Sequence, residues 1–227
     1  MSVPGPRVLD LSHPLSDTMP VYPGSRPPRI RRTSTVAERG FAETSLGFLS
    51  HTGTHVDAPA HMRAGGATLD RLPVETFVGT ACVLDATGAA RLDRAFLEAH
   101  AELVAGCAFL LFHTGWDRHW GRPAYLEGFP VLTPEGARWV AAQGLAGVGA
   151  DTISPDPVGS RDFPIHHILF GAGLLVYENL TGLGPLAGRR CHFAGLPLPY
   201  AEADGCPVRA VAMVDPGEAP ATRASAS

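Results

Sequence analysis

Residues 51–61, HTGTHVDAPAH, place three imidazoles and a carboxylate within one short stretch of a 227-residue chain that holds ten histidines in all. Clustering alone is a weak signal, and the residues between the histidines carry more. Thr52, Thr54 and Val56 are β-branched, Gly53 disfavours helix and Pro59 follows closely, so the segment is expected to be extended. In extended chain His55 and Asp57 face one side while Thr54 and Val56 face the other. Gly53 gives the backbone the freedom to bend His51 onto the same side. Two imidazoles and a carboxylate converging in this way are ligands that Zn2+ or Mn2+ favours. His61, set apart by Pro59, suits a group that moves protons.

Such a cluster needs a distant closing ligand, and FPIHHILFGAGLLVYENL (163–180) offers candidates. His166 falls in the first turn of a short helix, with His167 beside it as the alternative in register. Glu178 ends an apolar strand, where a carboxylate is most comfortable paired with a cation or a metal. DTISPD (151–156) reads as a turn from which Asp151 or Ser154 could support a ligand from behind.

The elements that must position these groups follow from periodicity and punctuation. Strands are expected at 7–12, 42–57 (with a bulge), 79–87, 107–115, 145–151, 174–180, 189–199 and 208–215. Leu92, Phe96, Ala99 and Leu103 fall at helical spacing and predict a helix over 91–104. Thr133 as N-cap, Pro134 behind it and Glu135 in the first turn predict another. A third, over 163–173, ends in glycines. The Pro-rich stretch 13–28 is expected to be an irregular loop packed over something. The sum is a single α/β domain with a mixed sheet, spanning 1–215, with 216–227 expected to be a disordered tail because its residues are small and polar.

Composition narrows the function classes. Hydrophobic residues make up 45% and charged residues 18%, and the net charge is −4, so the chain lacks the basic footprint of a nucleic-acid binder. The one basic run, RIRR at 29–32, is expected to be a solvated loop rather than an anion site. Four widely spaced cysteines suit buried reduced thiols. The start of the chain shows no apolar leader, and the longest apolar stretch, ILFGAGLLVY, is too short to span a bilayer. A soluble, cytoplasmic protein with a small-molecule substrate and no membrane or nucleic-acid partner is expected.

DLSHPLSDTMPVYPG (10–24), SHTGTHVDAPAHM (50–62), FVGTACVLD (77–85) and HHILFGAGLLVYENL (166–180) together resemble the putative cyclase family of metal-dependent hydrolases, which includes kynurenine formamidases and isatin hydrolases. The resemblance runs over roughly residues 8–214. It implies a swivelling β/α/β fold, a homo-oligomer (dimer or tetramer) and one or two divalent ions, Zn2+ or Mn2+. By analogy His51, His55 and Asp57 would bind one ion. Asp57, His166 and Glu178 would bind a second, with Glu178 touching both, and His61 would be the general acid/base. The family's spacing to Glu178 favours His166 over His167. Tyr22 stands at a substrate-binding position where kynurenine formamidases carry tryptophan. Met62, and the TGW within FHTGWDRHW (112–120), also depart from those enzymes.

The activity so implied is hydrolysis of an amide or cyclic-amide C–N bond by metal-activated water. Two rivals stay open on sequence alone: a non-haem Fe(II) oxygenase, whose two-His-one-carboxylate triad this cluster mimics, and a non-catalytic metal-binding protein.

Overall fold

The computed structural model describes residues 6–214; the tail expected at 216–227 lies outside the described residues. The strands are β1 (Arg7–Asp10), β2 (Arg29–Ser34), β3 (Glu43–Gly47), β4 (His55–Asp57), β5 (Val78–Asp85), β6 (Phe109–His113), β7 (Gly147–Ala150), β8 (Leu175–Glu178), β9 (Arg189–Leu196), β10 (Gly205–Pro207) and β11 (Arg209–Val214). The α-helices are α1 (Val36–Arg39), α2 (Arg94–Glu98), α3 (Ala101–Val104), α4 (Pro134–Ala141) and α5 (Pro164–Gly171).

Nine strands form one sheet in the order β1-β11-β9-β5-β6-β7-β8-β4-β10. The β5–β6–β7–β8 centre is parallel, and every other pairing in it is antiparallel. This is the single α/β domain with a mixed sheet that the sequence predicts. The central strands are apolar on both faces because both are covered. Phe109 and Leu111 of β6 join Tyr177 and Phe193 in one core layer, while Leu110 and Phe112 join Leu97, Val140 and Leu169 in the other, beneath the helices. Each such side chain contributes about 1.5–3 kcal/mol through burial.

Local signals set the helix starts. Thr133 caps α4 by accepting from the Gly136 N–H, as expected. Helix α5 has no side-chain cap of its own: its N-cap Phe163 sits in left-handed conformation at φ 40°. The Asp156 carboxylate takes that place from outside, accepting from the backbone N–H groups of Ile165 and His166 at 3.0 Å each. A carboxylate there satisfies two orphan donors and complements the helix dipole. Ile165, His166, Leu169 and Phe170 form the buried face of α5, and His167 is exposed at the border of the cavity described below.

Three expectations need correction. The strand expected over 42–57 is two strands in different sheets: β3 pairs with β2, whereas β4 pairs with β8 and β10. The chain breaks between them at Gly53, where φ is 65°. RIRR is not a loop but most of β2, although its side chains are largely exposed as expected. The helix over 91–104 is two short ones. Leu92 precedes the first of them, in an isolated bridge to Leu132, and Asp93 caps it by accepting from the Phe96 N–H. The break falls at His100, whose Nδ1 takes up the Phe96 carbonyl at 2.8 Å.

Candidate active site

The site lies on the helix side of the sheet at the β8–β4–β10 edge. Antiparallel register sets His55 opposite Glu178 and Asp57 opposite Val176 and Gly205. Alternation along β4 buries Val56 in the layer on the far face of the sheet, so His55 and Asp57 face α5 together. His51 reaches them from the loop before Gly53, as its positive φ permits. Space is tight there: a Cβ on Gly205 would stand 2.7 Å from His51 Nδ1. The first turn of α5 then carries His166 in over the strands.

Asp57 is the centre of the cluster. Its Oδ1 lies 2.6 Å from His51 Nδ1 and 3.1 Å from His55 Nε2, and its Oδ2 lies 3.9 Å from His166 Nε2. Glu178 completes the ring, 3.4 Å from His55 Nε2 through Oε2 and 3.4 Å from His166 Nε2 through Oε1. Three overlapping groups able to hold a metal result among the described residues: His51–His55–Asp57 and Asp57–His166–Glu178, with Asp57 common to both, and the less buried His51–His61–Asp204 beside them. All five predicted ligand positions therefore come together, while His167 does not join them.

The donor chemistry fits a divalent cation. Each imidazole has its outer nitrogen held by an acceptor: His51 Nε2 by Asp204 Oδ2 at 3.0 Å, His55 Nδ1 by the Gly53 carbonyl at 2.8 Å, and His166 Nδ1 by Asp156 Oδ2 at 2.7 Å. Such backing fixes ring orientation and tautomer, so that the inner nitrogen presents a lone pair. His55 Nε2 is buried and has no hydrogen-bond partner of good geometry. Two buried carboxylates stand side by side: burial and the charge of Asp57 push Glu178 above the usual carboxylate range. Burial also opposes ionisation of Asp57, but His51 and His55 hold it well below that range. Without a cation, protons must take its place. Burial opposes charge on His51 and His166, yet Asp57 and Asp204 hold His51 up at about 9, and Asp156 and Glu178 hold His166 up at about 10.

His61, on the single turn that starts at Pro59, lies against His51 with ring centroids 3.8 Å apart and the rings tilted by 35°, and its Nδ1 is 3.9 Å from Asp204 Oδ2. Burial lowers its pKa to about 4, so it is neutral at pH 7. Tyr22, Pro20, Leu49, Met62, Ile153 and Phe163 wall a cavity of about 470 Å³ over the cluster. The Pro-rich loop 13–28 thus packs over the site, and the size suits a small organic ligand.

Sequence reasoning missed two residues. Asp204 precedes the three-residue β10 and has no local motif around it. Asp156 ends the DTISPD turn, in which the sequence points to Asp151 and Ser154 instead. Asp151 instead accepts from the Thr114 and Gly115 backbone N–H groups, while the Ser154 hydroxyl accepts from the Asp156 N–H.

Comparison with known proteins points the same way. The profile of the family described as "Putative cyclase" matches residues 9–157. Kynurenine formamidases of Geobacillus thermodenitrificans and Bordetella pertussis are each 32% identical to the chain, covering 89% and 90% of it and 95% and 97% of their own lengths. Isatin hydrolase A from Labrenzia aggregata superposes with a TM-score of 0.82 at 28% identity, over 92% of this chain and 94% of that one. A structure described as a potential metal-dependent hydrolase with cyclase activity gives 0.76 at 29% identity, over 92% and 98%.

Proposed function

The chain belongs to the putative cyclase family, and we propose that it hydrolyses the C–N bond of an aryl amide or cyclic amide around a divalent cation held by His51, His55, Asp57, His166 and Glu178. The observation that carries this reading is the convergence of two buried carboxylates and three backed imidazoles on one point, with His55 Nε2 left without a partner. The fold is not the all-β jelly roll that the oxygenase reading would call for, and nothing favours a purely structural site.

When bound, a divalent ion in this set lowers the pKa of a coordinated water toward about 7 and polarises a carbonyl oxygen. The protein's own groups do the rest. Asp57 and Glu178 each face both halves of the cluster. His61, neutral at pH 7 and with Nδ1 turned toward Asp204, has Nε2 left to take a proton from the attacking water. It then returns that proton to the leaving nitrogen, which departs poorly as an anion. The walls from Tyr22 to Phe163 present apolar surface to an aromatic substrate. We take Tyr22 as the substrate-binding residue, and its presence in place of tryptophan leaves room for a substrate other than N-formylkynurenine.

The ligand set suits Zn2+ or Mn2+. Four buried free cysteines support a reducing, cytoplasmic setting, and among the described residues no helix is long and apolar enough to cross a membrane. A homo-oligomer is supported by the β2–β3 hairpin. It exposes Val36, Phe41, Leu46 and Phe48, and an isolated two-stranded hairpin is marginal in water. Leu49 at its base lines the cavity, so a second copy there would border the pocket.

The test is hydrolysis of N-formylkynurenine, isatin and a simple cyclic imide after dialysis against EDTA and return of Mn2+ or Zn2+. Turnover of at least one, lost with the metal and regained with it, is expected. Turnover indifferent to EDTA would overturn the proposal.

A further inference from the structure

We infer that Tyr125 and Asn179 are positioning residues for the metal site, acting on His55 through the carbonyl oxygen of Gly53. The inference rests on the metal-site reading above and adds what sets the orientation of its most buried imidazole.

Asn179 follows Glu178 directly and is held at φ 55°, a left-handed conformation that asparagine tolerates better than most residues. Its backbone is anchored at both ends: the N–H donates to the Thr152 carbonyl at 2.8 Å, and the C=O accepts from the Thr54 hydroxyl at 2.6 Å. Its side chain bridges two elements. Tyr125 O–H donates to Asn179 Oδ1 at 2.8 Å, and Asn179 Nδ2 donates to the Gly53 carbonyl at 2.8 Å. The Gly53 carbonyl can only accept, so the NH2 of the amide faces it, and the amide oxygen is left to the tyrosine hydroxyl, which stands 2.8 Å from it and 3.5 Å from the Asp151 carbonyl.

The same carbonyl accepts from His55 Nδ1 at 2.8 Å. Its direction therefore decides which nitrogen of His55 carries the proton, and Nε2 is left toward Asp57 and Glu178. Gly53 cannot hold that direction by itself. Its φ of 65° is freely accessible to glycine, and Leu15 and Met19 fill the space where a Cβ would stand. Two donors on one carbonyl lock it. Removing the amide leaves the carbonyl held by the imidazole alone, and the peptide is free to tilt and to turn the ring with it.

Tyr125 is fully buried, in the small core formed with Phe129 and Ile153, onto which Tyr22, Trp116 and Trp120 pack. The chain of hydrogen bonds thus joins the core beneath the pocket-covering loops to a ligand of the cluster.

Three variants test this. Tyr125→Phe keeps the ring and loses the hydroxyl. Asn179→Gly keeps the backbone conformation and loses the amide. Asn179→Asp keeps the shape and sets a carboxylate oxygen against the Gly53 carbonyl. Calorimetric Mn2+ titration should show affinity about 10–100-fold below wild type for both Asn179 variants, with Asn179→Asp the weaker, and about tenfold below for Tyr125→Phe. Long-range 15N spectra of the zinc-loaded wild type should place the His55 proton on Nδ1. Wild-type affinity in all folded variants, or a proton on Nε2, overturns the inference while leaving the metal site standing. A wild type that takes up no Mn2+ or Zn2+ overturns the metal-site reading and this inference with it. Should both Asn179 variants fail to fold, Tyr125→Phe decides alone: weakened affinity supports the inference and unchanged affinity overturns it.

Discussion

Asp204 Oδ2 lies 3.0 Å from His51 Nε2 and 3.9 Å from His61 Nδ1, so one carboxylate faces both a candidate metal ligand and the candidate acid/base. His61 lies against His51, and Asp204, facing both rings, orients the pair. Asp204→Asn keeps the shape and removes the charge. Its kcat should fall by about 10–100-fold, with KM for the best substrate little changed. Steady-state kinetics check this, and an unchanged kcat contradicts the shared role.

His61 is expected to move protons without holding the cation. His61→Ala should keep its bound metal and lose about 10²–10⁴-fold in kcat, the usual scale of general acid–base catalysis. Metal analysis beside single-turnover kinetics separates the two properties. Full turnover would remove the role assigned to His61, and loss of metal would make it a ligand.

Metal binding should depend on pH. His51 and His166, held up at about 9 and about 10 in the metal-free cluster, carry protons at pH 7 that a cation must displace. Apparent Mn2+ affinity should rise between pH 6 and pH 8 by about tenfold per unit for each proton released. Calorimetry in buffers of different ionisation heat counts those protons; a flat affinity contradicts the account. The same protons stabilise the metal-free fold. Their folded pKa values lie above the ordinary 6.5, so the contribution is complete below about pH 6.5 and fades as pH rises through 9 to 10. The Tm of the metal-free protein should fall over that upper range.

Gly205 has a steric role. A methyl group there would press on the His51 ring, and because β10 is paired to β4 the strand has little room to retreat. Gly205→Ala should fold and bind metal at least about tenfold more weakly. Circular dichroism with metal titration checks both halves, and wild-type affinity would show that the ring moves freely.

Much of this site was legible in the sequence because β4 obeys a simple period. Alternation about Val56 placed His55 and Asp57 on one face, and Gly53 marked the bend that brings in His51. Glu178 betrayed itself as a charge at the end of an apolar run. What stayed hidden depends on tertiary pairing. Asp204 acts from the position just before β10, a strand whose three residues do not announce it. Asp156 caps α5 from outside the helix, so no N-cap motif precedes Pro164. Arg29–Arg32 form a strand only because Thr44–Gly47 lie beside them, and exposed arginines give no period-2 signal. His166 and His167 are equivalent by composition; the buried face set by Ile165, Leu169 and Phe170 separates them.

The central claim is that this five-residue set holds a divalent cation, with Asp57 at its middle. The direct measurement is bound Zn2+ and Mn2+ per chain, by elemental analysis after gel filtration, for wild type and Asp57→Ala. The account predicts at least about one equivalent in the wild type and almost none in the variant. A wild type without metal, or an Asp57→Ala protein that retains it in full, would contradict it.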